Sequence, residues 1–215
     1  MLGIIRVLTT KDNEILQEHG HKMYESYNVN SVTHCIPDQP NGIYDEETER
    51  IAIPKIVELA QYMHKQYELD SITISCAADP ALDETREVLD IPILGAGVSG
   101  AHAAAMVGSK VGIIGITEEP PSRMKEELGA RYFLHSFSPK LRKTTDLFSE
   151  GAKEELLHVV NEMTQSGADV ILFACTGFST IRLKDYLVKY TNVPIVDLVE
   201  AQAIAYQLIG RRNPG

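Results

Sequence analysis

Ser71-Ile72-Thr73-Ile74-Ser75-Cys76 is a short β-branched run that stops at a cysteine. Asp169-Val170-Ile171-Leu172-Phe173-Ala174-Cys175 is a second run that stops the same way. Pro92 stands 16 residues after the first cysteine, in Asp90-Ile91-Pro92-Ile93, and an Ala-rich segment with Ala103-Ala104-Ala105 follows. Pro194 stands 19 residues after the second, in Asn192-Val193-Pro194-Ile195, and Ala201-Gln202-Ala203-Ile204-Ala205 follows. Each copy also opens on a similar run, Gly3-Ile4-Ile5 through Thr9 and Gly112-Ile113-Ile114 through Thr117, placed 73 and 63 residues ahead of its cysteine. Any one of these coincidences is common in α/β proteins. Four in the same order at similar spacing describe a diverged duplication.

The rest of the chain fits that frame. Apolar runs at 3–8, 29–36, 71–75, 110–116 and 169–174 read as strands. Between them lie segments of helical period. Ala52, Ile56, Leu59, Ala60 and Met63 fall on one helix face, and Ala152, Leu156, Val159, Val160 and Met163 repeat the spacing. Pro54 lies early in the first of these, so that helix is expected to start near it or kink there. Strands alternating with helices imply βαβ units and a parallel sheet covered on both faces. The strands are continuous apolar runs, as two-sided burial requires. The expected organisation is two similar α/β halves, the first built from 1–95 with 199–215 and the second from 96–198. No segment is low-complexity, and no Gly/Ser linker divides the chain.

Composition narrows the function. The chain has 215 residues, 44% hydrophobic and 23% charged, with no tryptophan; that is a globular balance. Its formal net charge is −10, from 20 basic and 30 acidic residues. Such a charge disfavours non-specific nucleic-acid binding and docking on anionic membranes. No apolar run approaches the roughly 20 residues needed to cross a bilayer. Met1 to Arg6 reads as a strand rather than a secretory leader. The three cysteines include no CxxC pair and no zinc spacing, so neither a disulfide framework nor a metal site is expected. The expectation is a cytoplasmic protein acting on a small molecule, without nucleic acid or membrane; assembly into a homo-oligomer is left open.

Cys76 and Cys175 carry the chemistry. In open parallel sheets ligands bind beyond the carboxyl ends of the strands, and both cysteines end strands just before expected helices. A helix N-terminus lowers a thiol pKa. Two such halves facing one another would aim both thiols into one cleft from opposite sides. One thiolate and one thiol so placed act as general base and general acid on opposite faces of a carbon, which suits stereoinversion. A lone cysteine is more often a small buried hydrophobe; the symmetric pair reverses that preference. Cys35 has no duplicate partner and reads as packing. Gly95-Ala96-Gly97 is too short a signal for a dinucleotide loop. His102 reads as a helix-surface residue.

Three stretches resemble the aspartate/glutamate/hydantoin racemase superfamily, within it the hydantoin and allantoin racemase branch. The first is Cys76-Ala77-Ala78-Asp79-Pro80-Ala81-Leu82 with Arg86-Glu87 and Ile91-Pro92-Ile93-Leu94-Gly95. The second is Gly167-Ala168-Asp169 leading to Ala174-Cys175-Thr176-Gly177 and Val193-Pro194-Ile195-Val196-Asp197. The third is Gly42-Ile43-Tyr44-Asp45-Glu46 with Ile53-Pro54 downstream. The resemblance runs in order over nearly the whole chain. It implies two pseudo-symmetric flavodoxin-like halves, three-layered about parallel sheets, with the site between them. It also implies no cofactor, and Cα proton abstraction and donation by Cys76 and Cys175. Substrate oxygens are then expected at backbone N–H groups and small hydroxyls: Ala77, Thr176 and Gly177, with Thr117 ending the second half's first strand. Thr9 and Thr10 are placed at the ligand, and Asp79 is expected to orient Cys76 or cap its helix.

The departures bear on the substrate. The branch usually carries an Asn-rich turn after its first strand, where this chain reads Thr9-Thr10-Lys11-Asp12, and an acidic residue where Val98 stands. Glutamate racemases typically show Asp-Ser early and Cys-Thr-His late; here the matching residues are Thr9-Thr10 and Cys175-Thr176-Gly177. With no Arg or Lys beside either cysteine in sequence, the expectation is a cofactor-independent racemase or epimerase acting on a 5-substituted hydantoin. The alternatives are an amino-acid racemase or small-diacid isomerase or decarboxylase of the same superfamily, or a non-catalytic small-molecule sensor.

Overall fold

The computed structural model describes residues 1–209. The last six residues of the expected first half, 210–215, lie outside them. The first sheet is built from β1 (Leu2–Arg6), β2 (Ser31–Cys35), β3 (Ser71–Ser75) and β4 (Ile93–Gly95) in the order β2-β1-β3-β4. The second comes from β5 (Val111–Gly115), β6 (Tyr132–Phe137), β7 (Val170–Phe173) and β8 (Ile195–Val196) in the order β6-β5-β7-β8. Every pairing is parallel. The two sheets therefore share one topology, as the duplicated sequence implies. The strands β1, β3, β5 and β7 are buried along their whole length, and that is why they read as unbroken apolar runs.

Helices cover the sheets: α1 (Asn13–Tyr27), α2 (Glu46–Gln66), α3 (Leu82–Val88), α4 (Ala96–Val107), α5 (Ser122–Leu128), α6 (Ala152–Gln165), α7 (Gly177–Thr180), α8 (Leu183–Leu187) and α9 (Leu198–Ile209). The apolar faces read from spacing are the buried ones, except that Leu59 is only partly buried. Ala52, Ile56, Ala60 and Met63 of α2 lie on the first sheet, and Ala152, Leu156, Val159, Val160 and Met163 of α6 on the second. Helix α2 begins well ahead of Pro54. The Asp45 carboxylate accepts the Thr48 N–H at 2.8 Å, while the Thr48 hydroxyl accepts the Asp45 N–H at 3.1 Å. This reciprocal cap sets the start at Glu46 and leaves the proline inside the helix. Strand β6 has no counterpart in the sequence reading. It is a half-buried edge strand, Tyr-Phe-Leu-His-Ser-Phe, without the continuous apolar run of its neighbours.

The two small-residue helices join the halves. Helix α4 leaves the first sheet and packs on β7, β8 and α9, and Gly100 lets Leu198 of α9 approach closely. A Cβ on Gly100 would stand 2.2 Å from a Leu198 methyl. The Ala-rich composition of both segments thus serves a close helix crossing.

Candidate active site

Cys76 directly follows β3, and Cys175 follows β7 after Ala174, at similar places in the two sheets. The turns that carry them touch. The Thr176 hydroxyl donates to the Ser75 carbonyl at 3.0 Å, which ties the residue after one cysteine to the residue before the other. The thiols are close enough that charge on Cys175 raises the pKa of Cys76. Each side chain is only 8% exposed. Above Cys175, Thr144 and Leu147 press on Gly177, where an added Cβ would stand 2.9 and 2.8 Å from them and 3.2 Å from the Cys175 Sγ. Thr144 in turn meets Gly42 of the first half, and the Lys143 ammonium lies 5.0 Å from the Tyr44 ring centre. Loops from both halves therefore close over the cysteines.

The thiols do not have the depressed pKa that the sequence reading expects. Burial pushes both up. Cys76 is followed by a turn in which Asp79 and Ala81 have positive φ, and α3 starts only at Leu82. Helix α7 after Cys175 is four residues long. Neither helix brings enough aligned dipole to offset desolvation. The two sites nevertheless differ. Cys175 is stabilised as thiolate by the N–H groups of Gly177 and Phe178, the Thr144 hydroxyl and the charge of Arg6. At Cys76 the Ala78 N–H favours the thiolate, with burial and the charges of Cys175, Asp79 and Glu49 against it. As pH rises Cys175 should ionise first. Iodoacetamide labelling read by peptide mass is expected to modify Cys175 at lower pH than Cys76; the reverse order would overturn this ranking.

Arg6, distant from both cysteines along the chain, is a cation whose charge acts on Cys175 in the fold. It ends β1, is 3% exposed, and donates from Nη1 to the Ile15 carbonyl at 2.5 Å and from Nη2 to Thr180 Oγ1 at 3.1 Å. Desolvation lowers its pKa to about 10, which still leaves it charged at neutral pH. Its sequence signal was available: a charge inside the otherwise apolar run from Gly3 to Leu8. His19, from α1, also reaches both cysteine turns, and no sequence periodicity marks it.

The other expected site residues lie at the same end of the sheets. Ala77, Thr176 and Gly177 are buried in the cysteine turns. Thr9 and Thr10 follow β1, but their hydroxyls serve the backbone. Thr9 donates to the Ile36 carbonyl at 2.6 Å and accepts the Gln39 N–H at 2.7 Å, while Thr10 accepts the Asp12 N–H at 3.1 Å. Thr117 donates to the Glu119 carbonyl at 2.7 Å, and its own carbonyl lies 2.9 Å from the His135 Nε2.

Asp79 caps α4 rather than the helix that follows its own cysteine. Its oxygens accept the N–H groups of Gly97 and Val98 at 2.8 and 2.7 Å. Burial lifts its pKa to about 7 against those bonds. Gly95 and Gly97 are glycines because they lie on this carboxylate, and a Cβ on Gly97 would stand 2.2 Å from the Ala77 carbonyl oxygen. No phosphate loop is needed to explain them. Gly97→Ala is expected to lower unfolding free energy by about 1–3 kcal/mol through that clash, read as a shift of the denaturant midpoint; an unchanged midpoint would refute it. His102 faces solvent beside Glu127, at 3.1 Å.

The family model for Asp/Glu/Hydantoin racemase matches residues 10–205. The chain belongs to that family. Over 156 residues it is 28% identical to a glutamate racemase of Sulfurihydrogenibium sp. (strain YO3AOP1), covering 65% of this chain and 58% of that protein. Over 169 residues it is 25% identical to a hydantoin racemase of Pseudomonas sp. (strain NS671), covering 75% of this chain and 66% of that one. The matches thus span less than two thirds of the length of these curated relatives. Allantoin racemase from Klebsiella pneumoniae superposes with a TM-score of 0.80 at 21% identity, over 97% of this chain and 86% of its own. The Asp/Glu/hydantoin racemase fold, two parallel four-stranded sheets flanked by helices, is the fold of this chain. Racemases are isomerases, and the relatives named here are racemases. Among the described residues no helix is long and apolar enough to cross a membrane.

Proposed function

We propose that this member of the family inverts a carbon alpha to a carbonyl by two-cysteine acid–base catalysis, without a cofactor, and that its substrate is a 5-substituted hydantoin. The observation that carries the reading is the pair of cysteine turns. Equivalent strands of two similar sheets lead into the two thiols, the charge of Cys175 acts on Cys76, and the turns are tied by the Thr176–Ser75 bond. Cys175, the more readily ionised thiol, takes the Cα proton from one face, and Cys76, held protonated by burial, returns a proton to the other. In the opposite direction the roles exchange. Charge that develops on the carbonyl oxygen is met by backbone N–H groups of the cysteine turns. The ring imide makes the Cα hydrogen more acidic than in a free amino acid, so less stabilisation is required. Entry of substrate asks the loops at Gly42 and Thr144 to part, a motion of the kind that gates many buried sites.

The reaction is tested in deuterated water. Each inversion should place one solvent deuteron on Cα of the product enantiomer, followed by NMR and chiral separation, in protein dialysed exhaustively against a chelator with a reductant present. Inversion that retains the substrate hydrogen quantitatively, or that returns after dialysis only when a metal or organic cofactor is added, would refute the proposal.

A further inference from the structure

His19 lies in the seam between the two cysteine turns. It is fully buried on α1. Its Nδ1 is 2.9 Å from the Ser75 hydroxyl; its Nε2 is 3.1 Å from the Thr176 carbonyl oxygen and 3.0 Å from the Thr180 hydroxyl. Ser75 precedes Cys76 and Thr176 follows Cys175. One imidazole therefore holds the chain neighbour of each thiol.

The partners decide the tautomer. A neutral imidazole has one donor and one acceptor nitrogen. A carbonyl oxygen only accepts, so Nε2 carries the proton and donates to Thr176. Nδ1 then accepts, and the Ser75 hydroxyl donates to it. Ser75 accepts in turn from the Gln202 amide at 3.3 Å, whose oxygen accepts the Thr73 hydroxyl at 2.7 Å. On the other side the Thr180 hydroxyl accepts from Arg6 at 3.1 Å. The ring is neutral: burial, with the charges of Arg6 and Lys22, holds its pKa well below 6.5. Its surroundings leave it one orientation, and it joins elements from both halves: β3 and its turn from the first, the Cys175 turn and α7 from the second.

We propose that His19 is a positioning residue of the two-cysteine site, which as its Nε2–H tautomer fixes the spacing and orientation of the Cys76 and Cys175 turns. It touches neither thiol and acts through the residues beside them. The proposal rests on the two-cysteine reading above for its effect on turnover, but its structural content is tested separately.

The first test uses nitrogen-15 NMR on the unmodified full chain with labelled histidine, the His19 signal being assigned by its loss in His19→Gln. The Nε2–H neutral tautomer is expected from pH 6 to 8; an Nδ1–H tautomer or a charged ring would overturn the proposal. The second measures bridging of Cys76 to Cys175 by dibromobimane, read as a cross-linked peptide mass. His19→Leu is expected to slow bridging about tenfold or more, and to lower kcat on a 5-substituted hydantoin about 10²-fold with KM nearly unchanged, as misplacement of reacting groups does. His19→Gln, which restores a donor toward Thr176, should recover most of both. Wild-type bridging in a folded His19→Leu protein would overturn the proposal; should that variant not fold, the NMR result on the native chain decides. Failure of the two readings is distinguishable. If Cys76→Ser keeps full turnover while bridging in the otherwise native chain still depends on His19, the two-cysteine chemistry falls and the positioning role stands.

Discussion

Replacing Cys76 or Cys175 by serine is expected to lower racemisation turnover by about 10²–10⁴-fold, the usual cost of losing a positioned acid or base. A serine hydroxyl fills the same space, so the buried turns at 8% exposure should keep their packing. What is lost is acidity: an alcohol is a far weaker acid than a thiol, and the burial that already raises both thiols would raise a hydroxyl further. The two variants should not be equivalent in every assay. Each keeps one base, so each should still exchange the Cα proton of one enantiomer with solvent while failing to invert it, and the two should favour opposite enantiomers. Turnover above about a tenth of wild type in either variant would end the two-base assignment.

The second large effect concerns substrate. We expect kcat/KM for a 5-substituted hydantoin to exceed that for glutamate or aspartate by at least about a hundredfold, equal to roughly 2.7 kcal/mol at the transition state. A second carboxylate needs a cation or a dedicated set of polar donors. Arg6 is buried near Cys175, yet its Nη1 contacts the carbonyls of Ile15 and Leu16 and its Nη2 binds Thr180. Its charge tunes the thiol while these N–H groups face the protein. At the rim, Arg142 pairs with Glu118 at 3.1 Å and Lys143 lies over Tyr44. Lys11 is exposed. The turn residues Ala77, Ala78, Thr176 and Gly177 are small and neutral. Phe178 offers no apolar wall to the substrate, since it is fully buried with its ring centre 5.2 Å from that of Phe173. Inversion of glutamate or aspartate faster than any hydantoin would remove the hydantoin assignment and leave the two-cysteine chemistry.

Much of this was legible in the chain itself. Unbroken apolar runs ending in cysteine, repeated with Pro-Ile and an Ala-rich helix behind them, determine two like parallel sheets, because burial on both faces admits only such strands and a duplicated pattern folds the same way twice. The helix faces of α2 and α6 followed from period alone. Local signals failed where a feature is set by partners distant in sequence. The edge strand β6 has no apolar run because half of it meets solvent. The thiol pKa values follow desolvation, a property of the closed fold, and not the short helices beside the cysteines. Asp79 caps a helix 18 residues away, and His19 meets Thr176 across 157 residues. Arg6 shows the division in one residue. Sequence shows a charge in an apolar strand, but only the packing of α1 and α7 decides that this charge acts on Cys175 while the guanidinium bonds Ile15, Leu16 and Thr180.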